Sequence, residues 1–140
     1  MGTVQKSVRL PEDLVGTVRA WAGERGAAFS EVLRELLEEA IKMRRCPGIV
    51  FGDGPSGRRA RIAGTGIEVW EVIAAYKSVG EDFGRLRAAY HWLSEAQLRA
   101  ALGYYAAYPQ EVDRLIERNA AWTPERLRAE YPGLVARPDR

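Results

Sequence analysis

The sequence holds a single cysteine, Cys46, and a single histidine, His91, among 140 residues. A disulfide needs two thiols, and a protein zinc site draws on several cysteines and histidines, so both kinds of staple are excluded. Cys46 stands beside Pro47 with no histidine near it in sequence, a poor setting for a nucleophile. No apolar run approaches the roughly 18 residues that a membrane span requires. The opening Met1-Gly2-Thr3-Val4-Gln5-Lys6-Ser7 lacks the hydrophobic stretch of a signal peptide, so a cytoplasmic protein with no membrane partner is expected. A formal net charge of +2 is too small to argue for nucleic acid by itself. Any DNA-binding surface must therefore come from basic residues gathered on one face of the folded protein.

What the sequence has is periodicity. Thr3 to Leu10 alternates loosely, with Val4, Val8 and Leu10 on one side and Gln5, Ser7 and Arg9 on the other. That pattern predicts a strand with one buried face. Pro11-Glu12-Asp13 ends it and opens a helix, since proline suits the first turn and acids suit its positive end. Leu14, Val18, Trp21 and Ala22 then form a stripe up to Gly26, which fits a left-handed C-cap. Ser30 is the expected N-cap of a second helix through Val32, Leu33, Leu36, Leu37, Ala40 and Ile41, with Lys42 to Arg45 at its cationic end. Glu38 and Glu39 read as a solvated pair on that helix.

Cys46-Pro47-Gly48 breaks the pattern and marks a domain boundary. Beyond it, Ile49-Val50-Phe51 and Arg59-Ala60-Arg61-Ile62 are predicted as two short strands joined by the breaker-rich Gly52-Asp53-Gly54-Pro55-Ser56-Gly57. Helical patterns follow from Val69 to near Gly80, from Asp82 to Tyr90, from Ser94 to Tyr108 and from Pro109 to Ala121. Ser94 with Gln97 matches a capping box, and Thr123-Pro124-Glu125 opens a last short helix. The expected organisation is mainly α: residues 1–45 for DNA binding and dimerisation, residues 46–121 as a β-hairpin with a helical domain, and residues 122–140 as a short helix and tail.

A lone strand followed by two short helices leaves backbone groups unpaired and apolar area exposed. One solution is a second copy of the chain, whose strand pairs antiparallel with the first while four helices close a shared core. Gln5, Ser7 and Arg9 of both chains would then lie on the outer side of a two-stranded ribbon, which fits the major groove of B-DNA. Arginine can fork onto guanine, glutamine onto adenine, and serine can contact either. The alternative is an ordinary edge strand with solvated polar residues.

The run Gln5-Lys6-Ser7-Val8-Arg9-Leu10-Pro11-Glu12, a helix, Gly26, and then Phe29-Ser30-Glu31 resembles the ribbon-helix-helix family of the Arc, MetJ and CopG repressors. The resemblance implies an intertwined dimer in which Gln5, Ser7 and Arg9 read bases. It further implies that the amides of Phe29, Ser30 and Glu31 hold a phosphate at a helix N-terminus, a physically sensible anion site. Glu31 departs from that pattern because its carboxylate competes for the same positive end. Lys6 departs as well, occupying an inward position that is usually apolar; its stem can pack while the amine reaches water or phosphate.

Downstream, Pro47-Gly48-Ile49-Val50-Phe51, the run Arg61-Ile62-Ala63-Gly64-Thr65-Gly66-Ile67-Glu68-Val69-Trp70 and the run from Tyr90 to Leu102 resemble the small domain of VapB-type antitoxins. That resemblance implies a short hairpin followed by a three-helix, helix-turn-helix-like bundle, and a PIN-like ribonuclease toxin as partner. Gly66 stands where the family's signature has arginine and Glu68 where it has proline, so no role passes to that arginine. Gln97 and Arg99 are candidates for a groove contact, against the alternative that their helix only packs a bundle through Leu98, Leu102 and Tyr105. Arg58, Arg59 and Arg61 are candidates for DNA or an acidic partner, against the alternative of a solvated face. Trp122 and Tyr131 are candidate partner anchors, because buried aromatics dominate interface energies. Most of the remaining aromatics read as core, and His91 reads as a packed histidine. Gly64-Thr65-Gly66 is too short for a phosphate loop.

The expected function is a sequence-specific, non-enzymatic DNA-binding regulator that acts as an antitoxin-like autorepressor. It would need no cofactor and no metal. Its partners would be double-stranded operator DNA, a second copy or higher homo-oligomer, and the PIN-like toxin. A stand-alone transcription factor with a sensing or oligomerising second domain is one rival. A dimeric assembly protein that binds no DNA is another.

Overall fold

The computed structural model describes residues 2–54 and 57–120, which divide into two compact units with the boundary between Arg45 and Cys46. Trp122, Tyr131, the rest of the predicted last helix and the tail lie outside the described residues. Among the described residues no helix is long and apolar enough to cross a membrane.

The first unit contains helices α1 (Glu12–Arg25) and α2 (Phe29–Arg45). Pro11 is the N-cap of α1, extended at φ −56° and ψ 145°, and the acids of the first turn, Glu12 and Asp13, complement the helix dipole. Gly26 ends α1 at φ 63°, with its N–H donating to the Ala22 and Gly23 carbonyls. The Ala27 N–H also donates to the Ala22 carbonyl at 2.9 Å, completing a Schellman-type closure that only a residue tolerant of positive φ permits at low cost. The second helix begins one residue before the expected Ser30 cap. The Ala28 carbonyl accepts from Glu31 at 3.1 Å and Val32 at 3.2 Å, which puts Ser30 inside the first turn. Arg25 on α1 forks onto Glu35 on α2, at 2.7 and 3.1 Å.

Val18, Ala22 and Val32 form the buried cluster of this unit, with Ala27, Phe29 and Leu36 packed against it. Much of the predicted stripe stays outside, since Leu14, Trp21, Leu37 and Ile41 are 53%, 45%, 58% and 50% exposed. Glu39, expected to be solvated, is buried, whereas Glu38 is exposed. Residues 2–10 are exposed throughout and form no strand within this chain, in contrast to the strand expected over Thr3–Leu10. A strand exists only through hydrogen bonds to a neighbour, and a single chain supplies none here.

The second unit opens with an antiparallel hairpin of β1 (Ile49–Gly54) and β2 (Gly57–Ile62). Both strands run further into the glycine-rich stretch than the sequence pattern suggested. Pairing sets Ile49 opposite Ile62, Phe51 opposite Ala60 and Asp53 opposite Arg58, with Gly52 opposite Arg59 and Val50 opposite Arg61. Alternation therefore puts Ile49, Phe51, Arg58, Ala60 and Ile62 on one face and Val50, Arg59 and Arg61 on the other. Gly48 precedes the hairpin at φ 90°, and a Cβ there would meet the Ala100 Cβ at 3.0 Å, so glycine permits the close approach to the helices.

Four helices follow: α3 (Val69–Ser78), α4 (Phe83–Ala89), α5 (Glu95–Ala107) and α6 (Pro109–Ala120). That is one more than the three-helix bundle implied by the antitoxin resemblance. Each start has a local cause. Glu68 and Glu71 form a capping box on α3, the Asp82 carboxylate accepts from the Arg85 N–H at 3.0 Å on α4, and α6 opens on Pro109. Ser94 and Gln97 form the expected capping box on α5, at 3.1 and 2.9 Å. Ile62, Val72, Ile73, Leu86, Leu98, Ala101 and Tyr104 are fully buried at the centre of one continuous core that also takes in Cys46 and Val112. His91 is exposed rather than packed, and Trp92 is 62% exposed, the two rings meeting edge to face at 5.1 Å.

Candidate functional site

Two regions hold the residues singled out by sequence, one in each unit. In the first, Gln5, Lys6, Ser7 and Arg9 lie along the exposed segment before α1. Val4 and Val8, on the alternate positions, are 78% and 75% exposed, so neither side of the segment is covered within one chain. Phe29 is half-buried, and Ser30 and Glu31 are exposed in the first turn of α2. The Glu31 N–H is used by the Ala28 carbonyl. Phe29 and Ser30 stand at first-turn positions, where amides have no acceptor inside their own helix.

The second region is a cleft of about 220 Å³ in the second unit. The hairpin contributes Phe51, Arg58, Arg59 and Ala60, the start of α3 contributes Val69 and Trp70, and α5 contributes Tyr104. Glu111, Val112, Arg114, Leu115 and Arg118 complete it from α6. Its floor is apolar and its rim is cationic. The Trp70 indole N–H donates to the Glu68 carboxylate, which holds the ring against the start of its helix. The Tyr104 hydroxyl donates to the Glu111 carboxylate. Burial, reinforced by that carboxylate, pushes the Tyr104 phenol well above its ordinary range, so it remains a neutral donor.

The three arginines of β2 do not form one solvated row. Arg58 reaches Asp53 Oδ1 at 3.3 Å and the Phe51 carbonyl at 3.4 Å, and Arg59 donates to the Arg58 carbonyl at 3.1 Å. Arg61 lies over Gly52 and donates to the Asp53 carbonyl at 2.6 Å, away from the cleft lining. Gln97 is occupied by the α5 cap. Arg99 is exposed, pairs with Glu95 at 2.9 Å and sits 4.6 Å from the centre of the Phe83 ring.

Sequence reasoning missed Glu68, Glu111, Arg114 and Arg118. The Glu68-x-x-Glu71 spacing was available as a capping signal. Nothing local links Arg114 and Arg118 to β2, some fifty residues earlier; only the packing of α6 does so. Opposite the cleft's α6 wall, Lys77 of α3 and Tyr105 of α5 both meet Asp113, each at 2.9 Å, tying three helices together. Lys77 and then Tyr105 hold the Asp113 carboxyl below the ordinary aspartate range, while Tyr105 and Asp113 raise the Lys77 amine.

A two-stranded hairpin backed by a helical bundle with a cationic cleft is the class of domain that the second unit defines. Residues 49–105 match the family described as a protein of unknown function, DUF433. The matched stretch takes in both strands, α3, α4 and most of α5, and stops before α6. No curated protein and no solved structure matches the chain.

Proposed function

We propose that the protein is a sequence-specific DNA-binding regulator whose N-terminal unit pairs with a second copy as a ribbon-helix-helix dimer. The observation that carries this is the apolar surplus of that unit. Val4, Val8, Leu14, Trp21, Leu37 and Ile41 are all exposed around a small buried cluster of Val18, Ala22 and Val32. A unit of about 45 residues rarely stands on so small a core without a metal, disulfides or a partner chain. A second copy would pair the two extended segments and cover the valines, turning Gln5, Ser7 and Arg9 outward as base readers. Lys6 and the first-turn amides of Phe29 and Ser30 would hold phosphates, which position a protein on DNA without carrying sequence information.

The favoured cellular role is an antitoxin-like autorepressor with a PIN-like ribonuclease as protein partner, supported by the resemblance of residues 46–121 to VapB-type antitoxins. Co-expression with a nuclease encoded beside this gene separates that role from a stand-alone regulator: a stable complex favours the first, and its absence with DNA binding intact favours the second.

The test of DNA reading is selection of bound duplexes from a random pool with the full-length protein. The selected and a scrambled duplex are then titrated at two salt concentrations. Arg9→Ala removes a bidentate pair of hydrogen bonds twice per dimer and is expected to cost about 2–6 kcal/mol on the selected site, with little change on the scrambled one. Lys6→Ala is expected to weaken both alike and flatten the salt dependence by about one unit for each phosphate left without its cation. Equal losses on both duplexes for Arg9→Ala would show that the ribbon does not read bases.

A further inference from the structure

We propose that the cleft between the hairpin and α6 is a docking site for an acidic segment of a partner protein that inserts one large apolar side chain. This deepens the partner half of the function above and rests on it only in requiring a protein partner; it is independent of DNA reading. Three observations lead to this occupant.

The first is charge. Arg58, Arg59, Arg114 and Arg118 line the cleft; Asp53 and Glu68 stand at its edge and one carboxylate, Glu111, in the lining itself, so four cations face three anions, and the two cations on α6 form its outer side. Glu111 accepts from Tyr104, and the exposed Asp53 lies beside Arg58. Arg114 and Arg118 are one helical turn apart and exposed, so they share a face of α6 and form its outer rim. Guanidinium groups at this density favour carboxylates, which they can bind in a forked geometry.

The second is size and chemistry of the floor. About 220 Å³ is below the roughly 300 Å³ at which pockets for drug-sized ligands begin. The floor is Phe51, Val69, Trp70, Val112 and Leu115, with the Tyr104 ring at its base. Such a cavity suits a single aromatic or long aliphatic side chain rather than a whole nucleotide or cofactor. An anchor side chain in an apolar pocket ringed by polar contacts is the usual arrangement of a binding hot spot.

The third concerns the rival occupant within this chain. Residues 121–140 follow α6 and include Trp122 and Tyr131, but they carry Arg126, Arg128, Arg137 and Arg140 against Glu125, Glu130 and Asp139. A segment whose charges nearly balance complements an arginine-rimmed cleft less well than an acidic one does. An acidic segment from another protein is the better match. The α6 wall also lies outside residues 49–105, the stretch that matches the family.

The experiment is panning of a random peptide library on the full-length protein. Enriched peptides are re-measured by fluorescence anisotropy against wild type, Arg114→Glu, Arg118→Glu and the double variant. Both positions are exposed, so these proteins should keep the wild-type circular dichroism spectrum and melting temperature. Enriched peptides are expected to carry acids flanking an aromatic or long aliphatic residue. The double reversal should weaken them by about tenfold or more, because each swap removes an attraction and adds a repulsion. Wild-type protein should show a shift of the Trp70 indole N–H resonance, assigned with Trp70→Phe, on adding peptide. A parallel titration uses labelled single-stranded and duplex DNA. If the reversals abolish DNA binding while no acidic peptide binds, the cleft is a nucleic-acid contact and the proposal fails. Neutral or basic consensus peptides, or acidic ones indifferent to both reversals, would overturn it equally. Removal of residues 121–140 leaves peptide affinity unchanged if the occupant is external; a large gain in affinity would identify the tail as the occupant and overturn the proposal.

Discussion

Among the described residues, the N-terminal unit buries a cluster of Val18, Ala22 and Val32, whereas the second unit buries thirteen residues running from Cys46 to Val112. Yet the first unit carries most of the large exposed apolar side chains: Val4, Val8, Leu10, Leu14, Trp21, Leu37, Ile41 and Met43 lie there, against Val50 and Trp92 in the second. Scattered exposed apolar residues are ordinary, but a concentration in the unit with the smaller core is not. The second unit covers its apolar surface within one chain, through a hairpin, four helices and a polar clamp at Asp113. The first leaves its surface to be covered by something else. A self-sufficient unit and one that needs a partner should therefore respond differently to the same kind of perturbation.

The largest expected effect is on the incomplete unit. Leu37 and Ile41 are exposed one turn apart on α2, so Leu37→Asp with Ile41→Asp changes little in a monomer. If these side chains meet a second copy, the double variant should abolish self-association in light scattering and DNA binding with it. A molar mass equal to that of the wild type would show that this face of α2 is not where two copies meet.

Next in size is truncation in the complete unit. Leu98 is fully buried among Ile62, Val72, Leu86 and Ala101, and Leu98→Ala should cost about 2–5 kcal/mol through reduced burial and the cavity left behind. Chemical denaturation should show this loss independently of protein concentration, whereas unfolding of the first unit should shift with concentration.

A smaller effect is expected at the start of α5. Ser94→Ala removes the acceptor for the Gln97 N–H and should destabilise the second unit by about 1 kcal/mol. Ser94→Asp keeps an acceptor and should recover most of that loss.

The smallest effect is in pH dependence, because the groups involved are solvent-accessible. Asp113 is held below its ordinary value, so its contribution is complete above the unfolded value of about 3.9 and is lost as pH falls through the lower folded value. Lys77 is raised, so its contribution is complete below about 10.4 and is lost as pH rises through the higher folded value. Between those limits the pair should leave the melting temperature flat. Asp113→Asn should lower the plateau slightly and make the acid limb shallower, as followed by thermal melts from pH 2 to 7. An acid limb identical to wild type would show that the clamp adds nothing in solution.

Much of the architecture was legible because its causes are local. The helical stripes, the breaker at Cys46-Pro47-Gly48, the left-handed Gly26 and the Ser94–Gln97 capping box all depend on residues a few positions apart, and each occurs where the pattern put it. The alternation of Val4, Val8 and Leu10 was equally plain, but alternation names two faces without saying whether either is covered, and a single chain covers neither. The same limit explains the misreadings. Glu39 and His91 were assigned surroundings by their neighbours in sequence, whereas burial is decided by what packs above them, and Glu39 is buried while His91 is exposed. The β2 arginines looked like one charged run, yet Arg58 and Arg59 line the cleft whereas Arg61 lies over Gly52. By itself, then, the sequence determined the six helices of the described residues, the hairpin, the caps at Gly26 and Ser94 and the two-unit division, through short-range sterics and hydrogen bonding. It did not determine the pairing of residues 3–10 or the start of α2. Only tertiary structure decided the cleft, because bringing Arg114 and Arg118 beside Arg58 over a floor of Trp70 and Tyr104 requires α6 to pack against α3 and α5 through Val112 and Asp113.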